Sequence, residues 1–110
     1  MDEIWMVMTN APDRKTARNI AALLVDRKLA ACVNIVGACE SVYRWGGKVE
    51  TAREVQLQIK TTAARYAEVE ATIRAFNPYQ VPEVVAWPLA AGLPTYLAWI
   101  RAETAKPRIA

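Results

Sequence analysis

The sequence predicts an α+β fold in a single domain, with elements in the order βαββαβ and one more helix at the end. Three observations carry this. Two amphipathic stretches at helical spacing each follow a run with strand character. Between them lies a long β-rich stretch that folds back on itself at Gly46-Gly47. The block Asn77-Pro78-Tyr79-Gln80-Val81-Pro82-Glu83 stops the second helix and prevents another, because each proline fixes φ and lacks an N–H.

In order, Ile4 to Thr9 is apolar enough to be a first strand, β1, buried on both faces. Asn10-Ala11-Pro12-Asp13 supplies a turn, a helix-start proline and an early acid. From Asp13 to Lys28, Ala17, Ile20, Ala21 and Leu24 fall at helical spacing, and Arg27 and Lys28 suit the last turn of this helix, α1. Ala31 to Trp45 forms β2, broken at Gly37-Ala38, and Gly46-Gly47 turns the chain into β3, Lys48 to Thr61. In β3, Val55, Leu57 and Ile59 alternate with Glu54, Gln56, Gln58 and Lys60, giving one face to a core and one to water or a partner. Helix α2 covers 63–76, with Tyr66, Val69, Ile73 and Phe76 on its apolar stripe. After the proline block come β4, Glu83 to Leu89, and a helix α3 from Pro94, whose Tyr96, Leu97, Trp99 and Ile100 form an aromatic face. Lys106 to Ala110 reads as a frayed tail. This is the ferredoxin-like split βαβ order, a sandwich with an extended β2–β3 hairpin and a C-terminal helix, and residues 1–110 make one domain.

The totals exclude several classes of function. Hydrophobic residues make up 54% of the 110, enough for a core. The net charge of +3 is spread among interspersed signs, so neither nucleic acid nor a membrane surface is an expected partner. Met1-Asp2-Glu3 offers no basic start to a signal peptide, and no apolar run spans a bilayer, so the expected location is cytoplasmic. Cys32 and Cys39 form no CxxC pair and are expected to stay reduced there.

Strand length predicts assembly. A domain of this size has a radius of gyration of about 13 Å and a diameter of roughly 35 Å. A 15-residue strand at about 3.3 Å per residue spans roughly 50 Å. The hairpin therefore outreaches its own helices, and a ribbon tipped with Tyr43 and Trp45 needs cover from another chain. A symmetric oligomer supplies it.

The chain has no histidine, which removes the commonest general base and metal ligand. No glycine-rich phosphate loop is present. Tyr79 and Glu83, held on a rigid loop at the mouth of β4, are candidate site residues, and Lys60 is placed to join them in a polar cluster. An enzyme built on those three lacks a nucleophile beside a base, so catalysis is not expected. Cys32, Met6 and Met8 read as core packing; Cys39, near the Gly37 break, is the more accessible thiol.

Several blocks resemble the CutA divalent-cation-tolerance proteins: Ala30-Ala31-Cys32-Val33-Asn34-Ile35-Val36, Ser41-Val42-Tyr43-Arg44-Trp45, Ile59-Lys60-Thr61 and, most specifically, Pro78-Tyr79-Gln80-Val81-Pro82-Glu83. Thr9-Asn10-Ala11-Pro12-Asp13 and Tyr96-Leu97-Ala98-Trp99-Ile100 fit as well, so the resemblance covers essentially the whole chain. It implies a cytoplasmic homotrimer joined through its long strands and associated with tolerance to copper or other divalent cations, without established catalysis. It also implies a cleft between subunits lined by the residues matching Asn34, Trp45, Lys60, Tyr79, Glu83 and Trp99. With Lys60 present, such a groove would suit an anionic small molecule. Copper-binding members place a Cys just before the first Ala-Pro-Asp and a His pair just before Pro-Tyr; the matching positions here are Thr9, Phe76 and Asn77. No cofactor is firmly implied, and for copper or another divalent cation the remaining candidates are Cys32, Cys39 and Glu83. The alternative is a sensor of small molecules akin to the PII nitrogen-signalling trimers, although the Gly46-Gly47 turn is short for a nucleotide-binding loop.

Overall fold

Helix α1, Arg14–Asp26, shows how locally the chain specifies its ends. Asp13 is the N-cap: its side chain accepts the Thr16 N–H at 2.7 Å, and that bond holds the carboxyl below its ordinary value. At the other end Lys28 takes φ 59°, in the left-handed region. The Leu29 N–H reaches back to Leu24 O at 2.9 Å and the Lys28 N–H to Val25 O at 3.0 Å, which is the Schellman closure with a lysine where glycine is usual. Leu24 and Leu29 then join the same core cluster. Arg27 and Lys28 thus close the helix from outside rather than sit in its last turn.

The structure is a computed structural model describing residues 3–107; the expected frayed end at 108–110 and the first two residues lie outside the described residues. The other elements are β1 (Ile4–Ala11), β2 (Cys32–Trp45), β3 (Lys48–Thr62), α2 (Tyr66–Phe76) after a short 3₁₀ turn at Ala63–Arg65, β4 (Val84–Pro88) and α3 (Pro94–Glu103). The sheet is antiparallel throughout, in the order β2-β3-β1-β4, as the ferredoxin-like reading requires. Strand β1 runs two residues past the expected turn, because Asn10 and Ala11 still pair with Gln56 and Val55 of β3. No helix among the described residues is long and apolar enough to cross a membrane.

One sheet face carries Val7, Ala11, Val55, Leu57 and Ile59, and these pack on Ala17, Ile20 and Leu24 of α1 and Val69 and Ile73 of α2. The other face is covered only at its Ile4 end, where Ile100 and Leu97 of α3 pack with Ile4, Ala31 and Leu89. Paired residues share a face, so the open side holds a row Cys32–Lys60–Met6–Trp87 and a row Asn34–Gln58–Met8–Val85. Met6 and Met8 are therefore half-buried on this open face instead of packed in the core, and Cys32 lies beside Lys60 there; β1 is closed on one face only.

The molecule extends 51 × 30 × 22 Å with a radius of gyration of 14.8 Å, larger than a sphere-like domain because the hairpin projects. The ribbon turns at Gly46 and Gly47, both at positive φ (58° and 78°), in a two-residue loop of the kind only glycine enters without strain. Val42 and Val49 on the ribbon are each 65% exposed. Because Lys28 carries a Cβ in the left-handed region, Lys28→Gly should raise stability by about 1 kcal/mol; an unchanged or lower denaturation midpoint in urea would contradict this.

Candidate functional site

The loop after α2 is fastened to β1 by side chains rather than by strand pairing. Asn77, 5% exposed, donates from Nδ2 to Asn10 O at 2.9 Å and accepts the Tyr79 N–H at 3.1 Å on its Oδ1. Thr9, fully buried, donates its hydroxyl to Glu83 O at 2.6 Å. Both ends of the proline block are thus pinned, and the stiff backbone between them leans Tyr79 over the open sheet face.

There the Tyr79 hydroxyl meets the Glu54 carboxylate of β3. Burial first, and then the hydrogen bond and charge of Glu54, hold its phenol proton well above the ordinary 10.0. A cleft of about 560 Å³ opens between this loop and the ribbon, lined by Asn10, Tyr43, Trp45, Glu54, Tyr79 and Glu83 among others. Of the six residues expected to share a site, Trp45, Tyr79 and Glu83 come together here. Asn34 and Lys60 do not: Lys60 Nζ donates to Asn34 Oδ1 and stands 4.0 Å from Cys32 Sγ, at the far end of the same face. Lys60 is six residues from Glu54 along β3, roughly 20 Å at about 3.3 Å per residue. Trp99 stacks on Tyr96 of α3, ring centroids 5.7 Å apart, and also lies outside the cleft.

Glu54, Tyr43 and Asn10 belong to the cleft without having been singled out from sequence. Glu54 had a visible sign, as a polar residue on the wet face of β3; its pairing with Tyr79 depends on where the loop lands. Cys32 begins the β2 ladder opposite Lys60, and Cys39 lies midway along it opposite Glu54, near Ser41 (3.7 Å). Among the described residues no group of three or more Cys, Asp or Glu converges as a metal site. The three positions matching copper ligands do other work: Thr9 and Asn77 make the bonds above, and the Phe76 ring lies 5.7 Å from the Arg27 guanidinium carbon in a cation–π contact.

Comparison with known proteins follows the same outline. The family model described as CutA1 divalent ion tolerance protein matches residues 5–103. The chain belongs to the CutA1 family. It is 43% identical over 104 residues to the divalent-cation tolerance protein CutA of Thermus thermophilus, covering 94% of this chain and 99% of that one. With Escherichia coli CutA it shares 37% identity, covering 88% and 87%. It spans only 59% of the Xenopus laevis CutA homologue and 52% of human CutA. The Thermus thermophilus CutA1 crystal structure superposes with a TM-score of 0.91 at 42% identity, covering 93% and 99%. The Archaeoglobus fulgidus structure, described as a periplasmic divalent cation tolerance protein, gives 0.89 at 36%, covering 92% and 98%.

Because the folded chain holds the Tyr79 proton more tightly than the unfolded chain does, Tyr79 contributes stability that is complete below pH 10.0 and is lost as pH climbs toward the higher folded value. In an absorbance titration, Tyr79→Phe should remove a tyrosinate component that ionises last, and its stability should fall less steeply above pH 10.0 than that of the unaltered protein. An unchanged titration curve would refute the assignment.

Proposed function

We propose that the chain is a non-catalytic homotrimer that acts in tolerance to divalent cations in the cytoplasm, with ligand clefts completed between subunits. The observation that supports this best is the division of the expected site. Trp45, Tyr79 and Glu83 occupy one end of an open sheet face, and Asn34 and Lys60 the other, too far apart for one chain to unite them. Two copies that overlap this face bring the end of one against the opposite end of the next. A repeated contact of unlike surfaces closes into a ring when its rotation allows.

The open face has the chemistry of a buried interface. Met6, Met8, Val85 and Trp87 share it, and burying such side chains yields about 25 cal/mol per Å² of apolar surface. The ribbon's exposed valines and Trp45, itself 50% exposed, extend the apolar surface outward. The two-residue turn at its tip offers no room for the nucleotide loop of the PII-like alternative.

Divalent-cation tolerance is the function named for the relatives. For this chain the donors available to a metal are thiols, thioethers and carboxylates without imidazole, so the contribution of direct metal binding is small. An anionic small molecule would be met by Lys60, and in the presence of Glu83 only where two copies meet.

Native mass spectrometry of the reduced protein should record three chains per particle at micromolar concentration, and Met8→Asp on the open face should shift the population to one. A monomer from the unaltered chain overturns the assembly. Titration calorimetry of the reduced protein with copper should give weak or partial uptake; tight, stoichiometric binding would show a ligand set outside the residues considered.

A further inference from the structure

Met6 and Met8 lie on the open face without a packing role inside their own chain. Both are half-buried, and neither joins a core cluster. One residue separates them, so they point the same way with their Cα atoms roughly 7 Å apart along β1. Each thioether sulfur sits on an unbranched, flexible side chain, and both Sδ atoms can turn onto one ion.

The cross-strand neighbours set the kind of ion. On the β4 side Trp87 is directly opposite Met6, and Val85 is opposite Met8. Trp87 is 43% exposed and outside both core clusters, and an indole face attracts a cation more strongly than other rings do. On the β3 side stand Lys60 and Gln58. Lys60 turns its ammonium toward Asn34 and Cys32 of β2, away from β1. None of these four neighbours is a carboxylate, so a hard divalent ion meets no anionic oxygen there. Neutral thioethers suit a soft ion of single charge.

We propose that Met6 and Met8 bind a soft monovalent cation of the Cu(I) or Ag(I) class, with the Trp87 ring against it. Both thioethers and the indole belong to one chain, so the site does not depend on the trimer, and a copy seated over the face would shield the ion from water. An interface alone asks only for apolar side chains, for which leucine serves as well as methionine. The ion asks for the sulfur. Divalent copper gains little from this donor set, in keeping with its weak uptake expected above.

The test uses the full chain with Cys32→Ala and Cys39→Ala, which removes the competing thiols, and labels the three methionine methyl groups with carbon-13 for NMR. Met6→Leu and Met8→Leu identify two of the resonances, and Met1 serves as the reference. Silver(I) nitrate should shift the Met6 and Met8 methyls together, saturating at one ion per chain, while zinc(II) leaves them in place. Either leucine variant should abolish the saturable response with the particle mass unchanged, and Trp87→Leu should weaken it about fivefold. A shift of only one of the two methyls, an equal response of Met1, an equal response to zinc(II), or saturable binding that survives both leucine substitutions would each overturn the proposal. A trimer whose methionines ignore silver(I) removes this inference alone; a monomer that binds silver(I) removes the trimer alone.

Discussion

Strand β2 turns its side chains alternately to the two sheet faces, so the one extra residue at Gly37, between Val36 and Ala38 in the register with β3, decides which residues face which way. Before it, Cys32, Asn34 and Val36 point to the open face, opposite Lys60, Gln58 and Gln56. After it, the odd positions Cys39, Ser41, Tyr43 and Trp45 take that face, opposite Glu54, Ala52, Glu50 and Lys48. Without the bulge Tyr43 and Trp45 would lie on the opposite side from Asn34 and Lys60. The cleft and the lysine end share a face because of one unpaired residue.

The second fixed point is the pinning of the loop to β1. Thr9 and Asn77 are buried polar residues whose bonds reach backbone carbonyls across the fold. Removing one partner of such a bond leaves a buried group unsatisfied at a cost of about 1–3 kcal/mol. These positions are therefore committed to holding Tyr79 and Glu83 in place, and the site keeps its walls while lacking copper-ligand chemistry at the positions where it would be sought.

Element order, hairpin length and the two-faced character of β3 were legible in the sequence, because periodicity, glycine turns and proline stops act over a few residues. The 51 Å long axis follows from strand length alone. What was not legible depends on register. Asn10-Ala11 looked like the start of a turn, yet pairing with Gln56 and Val55 draws both into β1. Met6 and Met8 looked like core, since a strand sequence does not say which of its faces a helix covers. Tyr79 and Glu83 were visible as a pair on a stiff loop; Glu54, the partner of Tyr79 and 25 residues earlier than it, was visible only as one wet position among several.

The open face also separates charge. Its cleft is lined by Glu54 and Glu83 and by no lysine or arginine, and its α3 end presents Lys60 in contact with Asn34 and Cys32. Along one rigid strand these ends cannot approach each other, so their attraction does nothing for the isolated fold. Between copies it favours one alignment, acidic end on basic end, and opposes like on like. The apolar residues between them, Met6, Met8 and Val85, supply non-directional affinity, which by itself would permit several registers. Direction comes from the charges and strength from the apolar patch.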